Sequence, residues 1–287
     1  MPGSLFLVAT PIGNLEDITL RAIRVLKEAD LVAAEDTRRT GNLLAHFGIT
    51  TPTISLHEHN ERSRVPALLA QVREGRRVAV VTDAGMPSVS DPGYLIVREA
   101  LRVGVKVEVV PGVSAITTAL VGSGLPTDKF TFLGFAPSRV GQRKAWLADQ
   151  LGSLAGTAVL FEAPGRLTGL LEDLRAGVGD RYVVVAHELT KLHESWHRGW
   201  LSALTSPGEV EALPTRGEFV VLVSDQKRPS VEESADVDEE AVSSLFLRLS
   251  ADEAMSRRDA LAVIASTYSI PKRKVYAIVE KHKVSGK

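Results

Sequence analysis

Short apolar runs alternate with amphipathic stretches along most of the chain. Residues 5–9, 31–34, 78–81 and 105–110 are compact runs rich in Val, Leu and Ala, the pattern of buried strands. Between them the period changes. Ile18, Ala22, Val25, Leu26 and Ala29 fall on one face of a helix over 18–30. Val65, Leu68, Leu69 and Val72 do the same over 60–75, where Gly75 is the stop signal. Such alternation predicts an α/β domain with a largely parallel sheet. A second block repeats the style, with strands expected at 130–135, 158–161, 182–187 and 219–223 and helices at 142–151 and 166–175. The pattern divides the chain into an α/β domain at 1–122, a second α/β domain at 123–224, a polar linker at 225–240 and a helical tail at 241–287. Helices are expected in the tail at 241–249, 257–268 and 271–283, with Pro271 suited to a first turn.

Composition adds exclusions. The 287 residues are 44% hydrophobic and 24% charged, close to the soluble globular average, and long enough to bury a core unaided. There is no cysteine, which removes disulfides, thiolate metal sites and cysteine nucleophiles, and a reducing cytoplasm is the expected setting. No basic start followed by a long apolar run marks a signal peptide, and the longest uncharged stretch, 109–127, is too broken by proline and glycine to span a membrane. Net charge is −1, yet it is unevenly spread. Residues 225–240 hold seven acidic and two basic side chains, and residues 254–287 hold eight basic and two acidic ones. The second is a local basic patch of the kind nucleic acid attracts, or else a solvated helical surface.

Candidate chemistry gathers where strands end, the usual place for ligands in open α/β sheets. Three such loops are rich in Gly, Pro, Ser and Asp: 10–14, 83–93 and 111–115. Ser114 follows Pro-Gly and opens a helix, so free N–H groups are expected there for a carboxylate or phosphate. Neither GxGxxG after a strand nor GxxxxGK[ST] nor GxSxG occurs, which argues against dinucleotide, P-loop and nucleophile-elbow sites. Glu35 and Asp36 stand beside Arg38 and Arg39, able to take a proton and orient a phosphate, or simply to cap a helix through Asp36 or Thr37. His57 and His59 are ambiguous in the same way beside Asn60. His193 and His197 are four apart, but no HExxH is present and no metal is expected. Glu188 and Lys191 read as an acid/base pair or a salt bridge.

Taken in order, five segments resemble one family: Leu7-Val8-Ala9-Thr10-Pro11-Ile12-Gly13-Asn14 with the residues to Thr19, AEDTRRT at 34–40, TDAGMPSVSDPG at 82–93, PGVSA at 111–115 and ELTK at 188–191. The chain is similar to the ribosomal RNA small subunit methyltransferase I family of the tetrapyrrole-methylase (class III) methyltransferases, over about 5–223. The resemblance implies two α/β domains with S-adenosylmethionine folded into the cleft between them, and a homodimer. It implies 2′-O-methylation of a cytidine in the decoding region of 16S ribosomal RNA, within the small subunit. Cofactor contacts are then expected from Pro11, Ile12, Gly13, Asp83, Ala84, Gly85, Met86, Ser114, Ala115, Phe161 and Glu162. Glu35, Asp36, Glu188 and Lys191 are the candidates for taking the hydroxyl proton. Arg38 and Arg39, with Arg257, Arg258, Lys272, Arg273 and Lys274 of the tail, are expected on RNA. Gly165 stands where the family carries a histidine before its arginine, so no role is carried over there. Two other readings compete: a tetrapyrrole methyltransferase of the same fold, and a non-catalytic ribosome-associated binding protein.

Overall fold

The computed structural model describes residues 3–163, 165–228, 238–250, 255–268 and 272–284. The chain forms two compact units, 1–226 and 227–287. The first opens with β1 (Ser4–Val8), α1 (Leu20–Glu28), β2 (Leu31–Ala34), α2 (Thr37–His46) and β3 (Thr53–Ser55). It continues with α3 (Glu61–Arg73), β4 (Arg77–Val81), α4 (Tyr94–Arg102), β5 (Lys106–Val110) and α5 (Ala115–Ser123). The five strands pair in the order β3-β2-β4-β1-β5, all parallel. Side chains alternate across β1 as a pleated strand requires. Leu5 and Leu7 pack with Leu68, Val72 and Ile96 of α3 and α4, and Phe6 and Val8 pack with Val25, Leu26 and Leu44 of α1 and α2. The sheet is covered on both faces, so its inner strands read as continuous apolar runs.

The expected helix over 18–30 is shorter because Thr19 caps it: its hydroxyl accepts the Ala22 N–H at 3.0 Å. The strand β3 carries no apolar run, only Thr53, Ile54 and Ser55, and so left no signal in the pattern.

A second sheet holds β6 (Phe130–Phe135), β7 (Thr157–Glu162), β8 (Arg181–His187), β9 (Ser195–Trp200) and β10 (Phe219–Lys227), in the order β6-β7-β10-β8-β9. It is not a repeat of the first: β6 and β7 are parallel, but β10 runs antiparallel to β7 and β9 antiparallel to β8. The missed strand is β9, Ser-Trp-His-Arg-Gly-Trp, whose polar positions hide its pairing. The helices α6 (Val140–Gly152), α7 (Leu167–Val178), α8 (Leu201–Leu204) and α9 (Glu209–Ala212) complete this half. Leu147 and Leu151 of α6 and Leu170, Leu171 and Leu174 of α7 bury one face of the sheet. The other face takes Ile116, Ala119 and Leu120 of α5, together with Ile12 from the first loop. By its packing, α5 therefore belongs with the second sheet, although the expected boundary at 122 places it with the first.

Because β10 runs through Lys227, the expected linker start at 225 is strand; residues 229–237 of that linker lie outside the described residues. The second unit contains α10 (Glu239–Ser250), α11 (Arg257–Thr267) and α12 (Lys272–Val284) around Val242, Phe246, Ala260, Ile264, Val275, Ile278 and Val279. Pro271 lies outside the described residues. Among the described residues, no helix is long and apolar enough to cross a membrane.

Candidate active site at the strand ends

Two adjoining cavities open where the strand-end loops of the first sheet meet residues at the ends of β6, β7 and β10. One, of about 330 Å³, is lined by Ile12, Ala84, Met86, Ser114, Ala115, Phe161 and Glu162, all expected at a cofactor. Its volume falls within the range of small-molecule sites. Val89, Ser90 and Asp91 of the expected 83–93 loop and Leu189 of the ELTK segment also line it, and sequence reading missed Ile116, Phe135, Ala163, Glu218, Phe219 and Val220. Phe161 meets Phe132 and Phe135 at centroid distances of 4.9 and 5.5 Å, giving the cavity an aromatic wall. Ser114 starts α5 without a side-chain cap bond, so the first-turn N–H groups stay open to a carboxylate. The Glu162 carboxylate is committed elsewhere: it accepts its neighbour Ala163 N–H at 2.8 Å and pairs with Arg166 at 3.0 Å.

The second cavity, of about 390 Å³, lies between the first loop, α2 and the 188–191 turn. Pro11, Gly13 and Asp83 line this one rather than the first, and Ile12, Ala84 and Glu218 line both. Gly85 lines neither; its N–H and carbonyl pair with Thr10 and bind the two loops together. Lys191 crosses the gap with its chain against Gly13, where any Cβ would collide with it. Its Nζ donates to Glu188 Oε1 and Glu218 Oε2, each at 2.9 Å. Partial burial works against this ammonium, but the bonds to Glu218 and Glu188 outweigh it and hold the pKa above the ordinary lysine value. Burial likewise opposes the Glu188 carboxylate, yet Lys191 and the Glu218 N–H, at 2.8 Å, hold its pKa below the usual range. Lys191 is thus a charged donor at neutral pH, and the idea that its surroundings deprotonate it for use as a base does not fit this geometry.

Across the cavities, Glu35 and Asp83 lock β2 to β4. Glu35 accepts the Asp83 N–H at 3.2 Å, and Asp83 accepts the Asp36 N–H at 3.1 Å and pairs with Arg39 at 3.2 Å. Asp91, half-buried beside them, is pushed up to about 7, first by burial and then by the charges of Glu35 and Asp83. Among the described residues, four non-glycine residues have left-handed φ: Ser88, Ser90, Glu188 and Thr190, with values from 51° to 72°. All sit in the two loops that border the cavities. Strain of this kind persists only where surrounding structure imposes it, and it concentrates at sites.

Comparison with known proteins gives this arrangement its context. A family model, Tetrapyrrole (Corrin/Porphyrin) Methylases, matches residues 4–205. A protein of Halalkalibacterium halodurans named ribosomal RNA small subunit methyltransferase I is 41% identical, covering 96% of this chain and 94% of its own. A Thermotoga maritima protein of the same name is 46% identical, over 77% of this chain and 98% of its own. The chain belongs to the ribosomal RNA small subunit methyltransferase I family. Solved structures agree on the fold: uroporphyrin-III C-methyltransferase of Thermus thermophilus, complexed with S-adenosylhomocysteine, has a TM-score of 0.55 at 24% identity, covering 78% of this chain and 98% of that one. Diphthine synthase has a TM-score of 0.58 at 19% identity, covering 78% of this chain and 91% of that one.

The remaining candidates fall outside the cavities or on their rim. Asp36 is the N-cap of α2, accepting the Arg38 N–H at 2.8 Å, and its bond to the Arg38 guanidinium holds its carboxyl far below the usual range. Arg39 reaches the rim of the second cavity. His57 bonds Asn60 at 3.0 Å, and His197 lies 3.5 Å from Ser195. Among the described residues no group of three or more His, Cys, Asp or Glu could hold a metal ion. In the tail, Arg257 pairs with Glu280 and lies over the Phe246 and Tyr276 rings, so much of its charge is spent between helices. Lys281 pairs with Glu239 at 2.6 Å, and Lys272 is exposed. The side chains of Arg258, Arg273 and Lys274 lie outside the described residues.

Proposed function

We propose that this protein transfers the methyl group of S-adenosylmethionine to the 2′-hydroxyl of a cytidine in the decoding region of 16S ribosomal RNA. The observation that carries the reading is a cofactor-sized cavity built from three separate strand-end loops in a chain whose relatives, matched over nearly their whole length, bear the name of a small-subunit rRNA methyltransferase. The cavity fits the cofactor by its chemistry. Phe161 and its aromatic neighbours offer a wall for a purine, the open amides at Ser114 and Ala115 suit a carboxylate, and Asp91 offers a carboxyl for a hydroxyl or an amine. The cofactor supplies an electrophilic methyl on sulfur; this chain's part is to align the acceptor oxygen and take its proton. Alignment of reactants can be worth about 7–11 kcal/mol of the barrier.

Among the four candidate bases, Lys191 lines the second cavity as an ammonium and Glu188 holds it there, while Glu35 and Asp36 fasten strand ends and α2. Arg38 and Arg39 are assigned to RNA phosphate, for which the guanidinium fork is suited. The basic tail is assigned to RNA as well. A cytoplasmic homodimer is part of the proposal, supported by the family resemblance and, for the compartment, by the cysteine-free sequence.

The test is label transfer from S-adenosylmethionine to small ribosomal subunits from cells lacking the enzyme, with the ribose mapped by resistance to alkaline cleavage. One alkali-resistant cytidine is expected. Cofactor binding without RNA labelling would overturn the acceptor and leave the tetrapyrrole reading. Removal of residues 241–287 is expected to weaken subunit binding and flatten its salt dependence; an unchanged slope would free the tail of that role.

A further inference from the structure

We propose that the second cavity seats the acceptor nucleotide and that Glu218, on the wall shared with the cofactor cavity, takes the hydroxyl proton while Lys191 orients it. The inference rests on the rRNA methyltransferase reading above and assigns that reaction a seat and a base.

Three observations point to a ligand in this cavity. Thr82 lines it and is 1% exposed, yet its hydroxyl has no hydrogen-bond partner among the described residues. A buried hydroxyl left unpaired costs free energy, and a ligand atom would supply the missing bond. Next, the walls combine apolar surface from Leu15 and Leu43 with cations at the mouth, Arg39 and Lys191. That combination suits a sugar and base carrying phosphate, and Arg39 has guanidinium donors to spare beyond its contact with Asp83. Finally, the wall shared with the cofactor cavity is thin, made by Ile12, Ala84 and Glu218, so a nucleotide seated here lies beside the methyl donor.

Glu218 is the carboxylate that borders both cavities. Glu188 Oε1 already accepts Lys191 and the Glu218 N–H, and Asp83 already accepts the Asp36 N–H and Arg39. Glu218 receives Lys191 at Oε2, and its other oxygen has no partner among the described residues. Lys191 stays an ammonium and cannot receive a proton, but it fixes the Glu218 carboxylate and attracts the oxygen as charge develops. In the step, the 2′-oxygen forms its bond to the methyl carbon as that carbon's bond to sulfur breaks, the electron pair remaining on sulfur. The hydroxyl proton passes to Glu218 and from there to water. Sequence reading missed Glu218 because it stands alone before the β10 run, outside any motif.

Three variants test this with intact protein. Thr82→Val removes the orphan hydroxyl at nearly constant shape; Tm and S-adenosylhomocysteine affinity by calorimetry should hold, while filter binding of small subunits weakens severalfold. Leu43→Trp fills the cavity from α2 and should leave the same cofactor affinity but abolish both subunit-dependent transfer and the cavity's share of binding. Glu218→Gln keeps an acceptor for Lys191, so a merely structural carboxylate would leave kcat unchanged. As proton acceptor, its loss should lower kcat about 10²–10⁴-fold at unchanged KM and remove the acid limb of the pH profile. Wild-type kcat in Glu218→Gln would overturn the base, and wild-type subunit binding and transfer in Leu43→Trp would overturn the seat. Wild-type protein that binds subunits and cofactor yet labels no ribose would instead overturn the function reading, and the Thr82 and Leu43 binding data would still decide whether the cavity holds a nucleotide.

Discussion

The two sheets of the first unit use charge in opposite ways. In the second half, Arg143 and Asp173 meet at 2.7 Å between α6 and α7 with side chains 7% and 9% exposed, far from either cavity. Arg181 is also buried there, donating to the Leu151 carbonyl at 2.9 Å and the Ser224 carbonyl at 3.3 Å. These groups tie elements together. In the first half, Glu35 and Asp83 also fasten strand ends, but Asp83 and Asp91 line the cavities beyond the carboxyl ends of parallel strands, with the Lys191 cluster across the gap. The difference teaches that residue type does not separate structural from chemical charge. Position decides which charges can meet a ligand, because parallel strands bring many loops to one edge, where side chains meet solvent and ligand together.

That contrast can be broken most sharply at Asp173. Asp173→Ala leaves the Arg143 guanidinium buried without its carboxylate and should cost about 3–5 kcal/mol, read by denaturant unfolding. Transfer activity at low temperature should survive, and loss of activity in the folded variant would erase the distinction between the halves. A pH effect of intermediate size is expected at Asp91. The folded state holds this proton more tightly than the unfolded chain, so stability is full below the ordinary Asp range and is lost as pH rises through about 7. Asp91→Asn should flatten the fall of Tm between pH 4 and 7; an unchanged slope would show that the strand-end carboxylates do not repel. Smaller still is Thr19→Ala, which removes the α1 cap and should cost about 1 kcal/mol. The smallest effect on folding belongs to Arg38→Ala, whose partner is at the surface. Its Tm should stay put while RNA affinity and salt dependence fall.

Much of the fold was legible because long apolar runs and 3.6-residue periods leave a direct trace. The strands β1, β2, β4 and β5 and the helices α1 and α3 all stand within a few residues of where the pattern put them. The misses share a cause. Both β3 and β9 are held by pairing to a neighbour rather than by their own apolar content, so Thr53-Ile54-Ser55 and the Trp-His-Arg run show no period of strand. The mixed direction of the second sheet was equally hidden, since an apolar run does not encode which way its neighbour runs. Part of the first cavity's lining was legible through the resemblance, because those walls are contiguous loop motifs. Phe135 and Glu218 were not, because each enters from a segment without a motif.

By itself, then, the sequence determined the α/β alternation, the acidic and basic asymmetry of the last sixty residues, and the family, through motifs whose order survives in one dimension. Tertiary structure decided what surrounds each of its charges. Asp36 and Glu188 look alike in sequence as carboxylates beside a cation. Folding turns Asp36 into the cap of α2 and sets Glu188 in a left-handed turn, where it grips Lys191 beside the second cavity. The reason is physical: a carboxylate's role follows from what surrounds it in space, and those neighbours, Glu218 foremost, come from chain segments some thirty residues away.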